Sequence, residues 1–584
     1  MTCTKFKLTT VAALVLAATN ANAALYKVVE VTPSITGASE IFGVAIEPAA
    51  FPTIAQDLTA TLGCFGGDNI DGKACSSYVL AGETRDTLEA VSYREEVPFA
   101  MDAPFQYIQE FEDFENYCYR ELRYSTCESW AQNRWNDTWS KERNDLTYVN
   151  AKAFVEGGDT FDSRNTVINS LDDDAKPLGV KSDGNVRNNA MFTTTPNGPT
   201  GTSETRAWRA IKASDGTVYN VGSVSTKGPG TDTSDTTFSS KAAIWDGNIT
   251  KELDWIRSGN AQQGDYFAQG SMRSIAITQT ADQPTVDIFY GVGYNTADGN
   301  GDLQDMNASV FVSDSLELNT AKWTTTQISG AEVKSGSSND DARYSNSVAT
   351  DINDNLFAVG YAKRNGYVPE NGSAGNKIFV VENAADPKAE FLTGGIFFDG
   401  SSGEAKAVNN FNEIVGQIDA ETTREVDGSE RRHRGFIYPY NLPSSIDARR
   451  VDVFGGKAWW LDDLTNDGDA SGDNNKFRII DATDINDAGV ISATAIKCTV
   501  DGKDQPYDTT SHNSYCGGAS SNAVEKVVAV KLIPIKGARY DTGSDTDSVV
   551  ARSADSEKVD RQGGSLGWLT LTVLGLLGFR RKFK

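Results

Sequence analysis

Two acidic stretches of the sequence carry the residue types and spacing of a calcium ligand set. Asp298-Gly-Asn300-Gly-Asp302, with Asp305 beyond it, places oxygen donors at alternate positions of a tight loop, as a hard cation requires. Leu303 holds the sixth position, where such loops prefer glycine. Asp467-Gly-Asp469-Ala-Ser471-Gly472-Asp473 has that glycine, but Arg478 stands where the closing glutamate would be. Solvated Asp/Asn/Gly turns are the competing reading of both, and Ca2+ is the one cofactor the sequence suggests. Carboxylate pairs for glycosidase chemistry exist at Asp462/Asp463 and Asp172/Asp173/Asp174, yet with 80 Asp+Glu in 584 residues such pairs arise without meaning. There is no G-x-S-x-G elbow, H-E-x-x-H helix or phosphate loop. Two histidines, His433 and His512, leave no room for a multi-histidine metal centre. His433 lies in a basic island with Arg431, Arg432 and Arg434, expected as an exposed loop with anion binding as the lesser alternative; His512 is expected on a surface loop.

The elements that must position any chemistry begin with the cysteines. Once Cys3 is removed with a leader, six remain in three close pairs. Local pairing Cys64–Cys75, Cys118–Cys127 and Cys498–Cys516 is expected in an oxidising compartment. No C-x-x-C or neighbouring histidine supports zinc instead. Residues 1–23 read as a secretory signal peptide. Lys5 and Lys7 precede the apolar run from Val11 to Ala18, and Ala21-Asn-Ala23 is a small-x-small cleavage site before Ala24. At the other end Gly563-Gly564-Ser565 precedes an apolar run from Leu566 to Phe579, closed by Arg580, Arg581, Lys582 and Lys584. That run is short of the roughly 20 residues that span a bilayer, and its basic cap belongs on the cytoplasmic side. The order glycines, apolar run, basic cap resembles the GlyGly-CTERM sorting signal of Gram-negative bacteria. This resemblance implies cutting near the Gly-Gly by a rhomboid-type protease and delivery to the cell surface; a C-terminal membrane anchor facing the periplasm is the alternative. Signal peptidase, that sorting protease and an export machinery are the partners so implied.

The formal net charge is −26, and removing both ends, with six lysines and arginines and no acids, takes it to −32. Such a chain does not seek nucleic acid or an anionic membrane surface. With 39% hydrophobic and 10% aromatic residues it has the material for a globular core.

One phrase recurs. Ala349-Thr-Asp-Ile-Asn-Asp-Asn-Leu-Phe-Ala-Val-Gly360 aligns without gaps to Ala405–Gly416 and to Ala482–Ala493. Weaker copies are Ala210–Gly222, Ser274-Ile-Ala-Ile with Phe289-Tyr-Gly-Val-Gly293, and Val167-Ile-Asn169 with Pro177-Leu-Gly179. An aliphatic strand, a turn at Asn-Asp that tolerates positive φ, and a β-branched strand ending at glycine make a hairpin. Further strands follow, such as Ala242–Gly247, Ser309–Val312, Lys377–Val381, Gly435–Tyr438 and Val527–Leu532. Three or four strands per unit at long, uneven periods predict a mainly β fold, a propeller-like body of about six or seven units, with an irregular β-sandwich array as the rival. The phrase resembles the HAF extracellular repeat, with Gly435-Phe-Ile-Tyr438 and Ala243-Ile-Trp245 in place of its third strand. With leader and tail, the chain resembles an uncharacterised, domain-of-unknown-function family of gammaproteobacterial exported proteins. That resemblance brings no catalytic residue and no ligand.

Residues 101–147 break the pattern. Phe105, Ile108, Phe111, Phe114, Tyr117 and Cys118 recur at helical steps, and Trp130, Trp135 and Trp139 continue in a second stretch. A Cys118–Cys127 bridge requires a break near Arg123 to Thr126, so a helical hairpin packed on the sheet is expected, with a sugar-binding aromatic stripe as the alternative. The organisation expected is a signal peptide (1–23), an N-terminal β segment (24–100), the disulfide-bearing helical insertion (101–147), the β repeat domain (148–536), a flexible linker (537–562) and the sorting tail (563–584). The expected function is non-catalytic binding of an extracellular ligand by a surface-associated protein. The alternative is a polysaccharide hydrolase or lyase, for which carboxylates and arginine gathered in the central channel would speak.

Overall fold

The computed structural model describes residues 24–540 except 50–61, 86–109, 142–144, 146, 185, 192–201, 230–235, 264–265, 281–282, 298–305, 333–342, 423–430, 444, 467–473, 506–514 and 517–521. Both calcium-type loops, His512, the leader with Ala21 and Ala23, and the tail with Gly563, Gly564 and the 566–579 run lie outside these residues. Among the described residues no helix is long and apolar enough to cross a membrane.

The repeat phrase folds as expected into antiparallel hairpins, and six of these hairpins grow outward into sheets of four strands in order, the last with the short Lys503–Asp504 strand paired beside it. Six such sheets form the blades of a β-propeller. Blade 1 contains Glu40–Ile46, Leu80–Arg85, Lys152–Val155 and Thr160–Phe161; blade 2 contains Thr202–Lys212, Val218–Pro229, Thr236–Trp245 and Thr250–Glu252. Blade 3 contains Gly270–Thr280, Gln283–Thr296, Met306–Ser313 and Trp323–Gln327. Blade 4 is built from Tyr344–Ile352, Ala358–Arg364, Asn376–Val381 and Ala389–Phe391, and blade 5 from Gly403–Val408, Glu413–Asp419, His433–Pro439 and Trp459–Trp460. Between blades 1 and 2 stands a three-stranded sheet, Thr166–Leu171, Pro177–Asp183 and Val186–Met191. Blade 6 takes Phe477–Ile485, Ile491–Val500 and Val524–Pro534 from the end of the chain and its outer strand, Tyr26–Val31, from the beginning. The N-terminal β segment is therefore part of the ring rather than a separate body. Apolar side chains from facing blades fill the spaces between sheets, as in the cluster of Ala407, Val415 and Ile437 of blade 5 with Ile479, Ala482 and Val530 of blade 6.

The turns refine the expected chemistry. The left-handed residue in the three strong copies is Leu356, Asn412 or Gly489, three positions after the first Asn, and not the Asn-Asp pair itself. The first Asn does two other jobs. Its carbonyl oxygen folds its own turn: Asn353 Oδ1 accepts from Asn355 N and Phe357 N, and Asn409 Oδ1 from Phe411 N and Glu413 N. Its amide crosses to the next blade. Asn353 Nδ2 donates to Asn409 O (2.9 Å), Asn409 Nδ2 to Asn486 O (3.2 Å), and Asn486 Nδ2 to Glu47 O of blade 1 (2.9 Å). A short amide side chain carries the acceptor and the donor on separate atoms, so Oδ1 can take two N–H groups of its own turn while Nδ2 reaches the next blade, which explains why the repeat uses Asn here.

All three expected disulfides form. Cys64–Cys75 closes a loop of blade 1, with both cysteines buried beside Ile46, Tyr78 and Leu80. Cys498–Cys516 ties the end of the second strand of blade 6 to the segment that follows it, and both are buried beside Ile480, Ile496 and Val527. Cys118–Cys127 lies in the helical insertion. There, helices Phe111–Tyr117 and Glu128–Arg134 are separated by a break with Arg123 in the left-handed region, inside the expected window. The described part of the aromatic stripe is core: Phe114, Tyr117, Trp130 and Trp139 are buried around the Cys118–Cys127 bridge, while Phe105 and Ile108 lie outside the described residues. This hairpin leaves blade 1 and reaches blade 4 across the face opposite the Asn-Asp turns. Lys363 of blade 4, 2% exposed, donates to Glu121 O (2.8 Å) and Ala374 O (2.7 Å), and Gly366 lies so close to Arg120 O that a Cβ there would clash. Burial pushes the Lys363 ammonium down to about 8.

Candidate functional site

The propeller axis is where the inner strands of the six blades and of the three-stranded sheet meet, and their sequence decides what meets there. In each inner strand the ladder skips a residue on the approach to the turn: Val44, Asn169, Trp208, Arg273, Thr350, Lys406 and Thr483, with a second skip earlier in three strands at Ser203, Ser345 and Ile480. A bulge re-aims the residues beside it and bends the strand. The residue after the bulge on the approach to the turn is Ala45, Ser170, Arg209, Ser274, Asp351, Ala407 or Asp484. Four of the seven are alanine or serine. Three are charged, and the small neighbours leave room for them to meet.

They meet across the ring. Arg209 Nη2 of blade 2 lies 3.6 Å from Asp351 Oδ1 of blade 4 and 4.0 Å from Asp484 Oδ1 of blade 6. The carboxylates also bind backbone. Asp351 Oδ1 accepts from Ile352 N (3.0 Å) and Oδ2 from Val408 N of blade 5 (2.9 Å). Asp484 repeats the arrangement, with Ile485 N on Oδ1 (3.0 Å) and Ile46 N of blade 1 on Oδ2 (3.0 Å). The same next-blade logic applies elsewhere: Asn169 Nδ2 donates to Ala207 O, Ser170 Oγ to Trp208 O, and Thr350 Oγ1 to Ala405 O. Inner-strand side chains of one blade thus satisfy the free inner edge of the next.

Burial raises the Asp484 carboxyl to about 6 against the opposing pull of Arg209 and the Ile46 N–H. Asp487, in the adjoining turn, is raised to about 6 for the same reason, although Asn410 N and Nδ2 both donate to it. A carboxyl with a folded-state pKa above its unfolded value binds more protons when folded. Its stabilising share is full below about pH 4 and is lost as pH rises through 6. Asp487→Asn is therefore expected to gain on the parent protein as pH rises from about 4 to 7. Thermal melts of both across that range check this; a pH-independent difference would contradict it.

The carboxylate pairs and the His433 island, the other candidates among the described residues, take part in contacts within the fold. Asp462 and Asp463 are buried against Arg434 and Arg478. Asp172 caps its own turn through Asp174 N and Lys176 N, and Asp174 pairs with Lys176 at the surface. The His433 island is not the exposed loop expected: His433 and Arg434 start a strand, and carboxylates neutralise the island. Arg431 Nη1 and His433 Nε2 both reach Asp419 (2.9 and 3.2 Å), and Arg432 reaches Glu421 (3.2 Å). Among the described residues no group of three or more His, Cys, Asp or Glu is arranged around a metal position. The six cysteines hold one another, as Cys64–Cys75, Cys118–Cys127 and Cys498–Cys516, and so offer no thiol for chemistry. The axial residues Arg209, Asp351 and Asp484 escaped the sequence reading. The signal was present in the phrase, whose Asp recurs at 351 and 484 but is Ala407 in the middle copy.

A family described as "Protein of unknown function (DUF3466)" matches residues 220–582, more than half of the chain. The chain belongs to this family. No curated protein matches it. Solved structures similar to it include a glycoside hydrolase of the GH130 mannoside phosphorylase family, which targets β-1,2 mannosidic linkages in Candida mannan (8% identity, TM-score 0.23, covering 62% of this chain and 96% of that one). Others are a GH62 hydrolase in complex with xylotriose (9%, TM-score 0.22, 58% and 94%) and a B. megaterium levansucrase variant (10%, TM-score 0.24, 62% and 90%). Likenesses this low carry no argument about the chemistry of this DUF3466 chain, which rests on its own residues.

Proposed function

We propose that this chain is an exported, surface-associated binding protein, presenting inter-blade surfaces on a rigid propeller. The observation that carries the reading is the engagement of the axial acids. Each of the four oxygens of Asp351 and Asp484 accepts a backbone N–H, and Arg209 bridges the two groups. A glycosidase acid or nucleophile needs an oxygen that faces substrate; here each Oδ2 ties its carboxylate to the next blade, and each Oδ1 binds the N–H of the following residue and faces Arg209. Three disulfides support an oxidising compartment, and the leader and tail supply the route: signal peptidase, then a rhomboid-type protease near Gly564.

A second reading has one observation in its favour. Asp484 is held near 6, where a general acid works, beside a second carboxylate and an arginine on the axis. Reducing-end assays of the full chain on a polysaccharide panel separate the two. The binding reading expects no turnover. Turnover that disappears in a folded Asp484→Asn variant would overturn it. Intact mass from the native host tests the route: a chain starting at Ala24 and ending near Gly564 is expected, and one retaining Arg580 to Lys584 would replace surface delivery by a membrane tether.

A further inference from the structure

Between blade 3 and the loop after the third strand of blade 4 lies a cleft of about 430 Å3, inside the range of about 300–1,000 Å3 usual for small-ligand sites. We propose that this cleft is a binding site for a short neutral saccharide. The inference deepens the binding reading above by naming a place and a ligand class.

One wall is a face of blade 3. The ladder sets Tyr290 opposite Val312 and Val312 opposite Thr324, with Val310 opposite Thr326 in the next row. Side chains alternate along a strand, so Thr324 and Thr326 share the cleft side, while Trp323 turns the other way and stacks on Phe289 (5.9 Å between ring centres). The facing wall is a loop of blade 4, where Ala385 and Pro387 are too small to fill the gap. The result is a slot of mixed lining, in which Val310, Val312, Ala384 and Pro387 lie beside a row of hydroxyls.

The chemistry fits a sugar. Sugars offer a C–H face to apolar walls and hydroxyls that both donate and accept. The Tyr290, Thr324 and Thr326 hydroxyls do the same, and among the described residues they have no protein partner. The cleft's two charged side chains, Asp314 and Lys322, leave it without net charge. The chain as a whole carries −26, which repels acidic saccharides at range. Neither observation favours an anion, and the hydroxyl row favours a polyol over an apolar ligand, whose entry would bury hydroxyls unpaired.

The test is calorimetric titration of the full chain with cellobiose, maltose, lactose and xylobiose, against digalacturonate and tetra-alanine as controls. Saturable binding of at least one neutral disaccharide is expected. Ala385→Trp, which fills the slot, should weaken it by roughly tenfold or more with the melting midpoint unchanged. If that variant does not fold, the Tyr290→Phe/Thr326→Val double variant decides, because it removes hydroxyls while keeping shape. No binding by any neutral disaccharide, binding indifferent to both variants, or preference for the acidic sugar or the peptide would each overturn the assignment. Cleavage of the bound sugar, still sensitive to Ala385→Trp, would uphold the cleft and sink only the non-catalytic reading.

Discussion

Asp462→Ala is expected to cost about 3–5 kcal/mol of unfolding free energy, against a typical total of about 5–15. Asp462 is fully buried. Its Oδ2 lies 3.1 Å from Arg434 Nε and 3.2 Å from Arg478 Nε, and its Oδ1 accepts Ile479 N at 2.7 Å. Arg478 is 0% exposed and Arg434 3%, so neither guanidinium can reach water when the carboxylate goes. Asp463 would still face Arg434 Nη2 at 3.2 Å, and Arg478 would bear most of the loss. Urea unfolding with the disulfides intact measures this, and Asp462→Asn, which keeps the shape and one acceptor, should lose less. The same variant addresses the carboxylate pair that the sequence offered as a glycosidase couple. A stable Asp462→Ala protein with lost turnover would return Asp462 to the catalytic side.

Gly222→Ala should be the more damaging of two superficially similar substitutions. A Cβ at Gly222 would sit 1.9 Å from Arg206 O. That oxygen belongs to the inner strand one residue before Ala207, where the bulge begins. The same approach recurs at Gly179, Gly293 and Gly416 (2.0 Å each) and Gly360 (2.2 Å). Backbone cannot rotate away as a side chain can, so relief requires moving the inner strand. The expected cost is about 3 kcal/mol, the upper end for overpacking. Gly184, with φ +57 and nothing within 4 Å of its Cβ, provides the control, where only conformational strain of about 1 kcal/mol applies. Equal losses at the two positions, measured by denaturant midpoint, would remove the bulge from the explanation.

That glycine shows how far local sequence reaches. Hairpins, Asn-Asp turns and the glycine of the phrase were legible because each is settled within a dozen residues. The glycine's reason was not. It reads as a strand end, yet Gly360 pairs with Ala349 in mid-ladder, and what demands it is a bulge that no residue type announces. The bridges Cys64–Cys75, Cys118–Cys127 and Cys498–Cys516 were legible for the same local reason, with partners 11, 9 and 18 residues apart, as was the break at Arg123. The axis was hidden because Arg209 finds Asp351 and Asp484 only after the ring is closed, and because the copy between them carries Ala407. The His433 island misled in a related way. Four basic residues in a row suggest solvent, but Asp419, Glu421, Asp462 and Asp463 lie on either side in sequence, and only the strand pairing of blade 5 brings them in.

The pairing of Tyr26–Val31 with Val524–Pro534 also sets a timetable. Tyr26–Val31, the first of the described strands, is the last to find its place, because its partner stands at the other end of the described residues. Blades 2 to 5, each built from consecutive strands, can form as the chain emerges. The closing contact has a loop penalty that local pairings avoid, and so belongs late in folding. Until then Val524–Pro534 offers an unpaired edge, which is the template on which a second chain's strand can add. The interval between the birth of the last blade and the arrival of the first strand is therefore when this molecule is most exposed to pairing with its own copies.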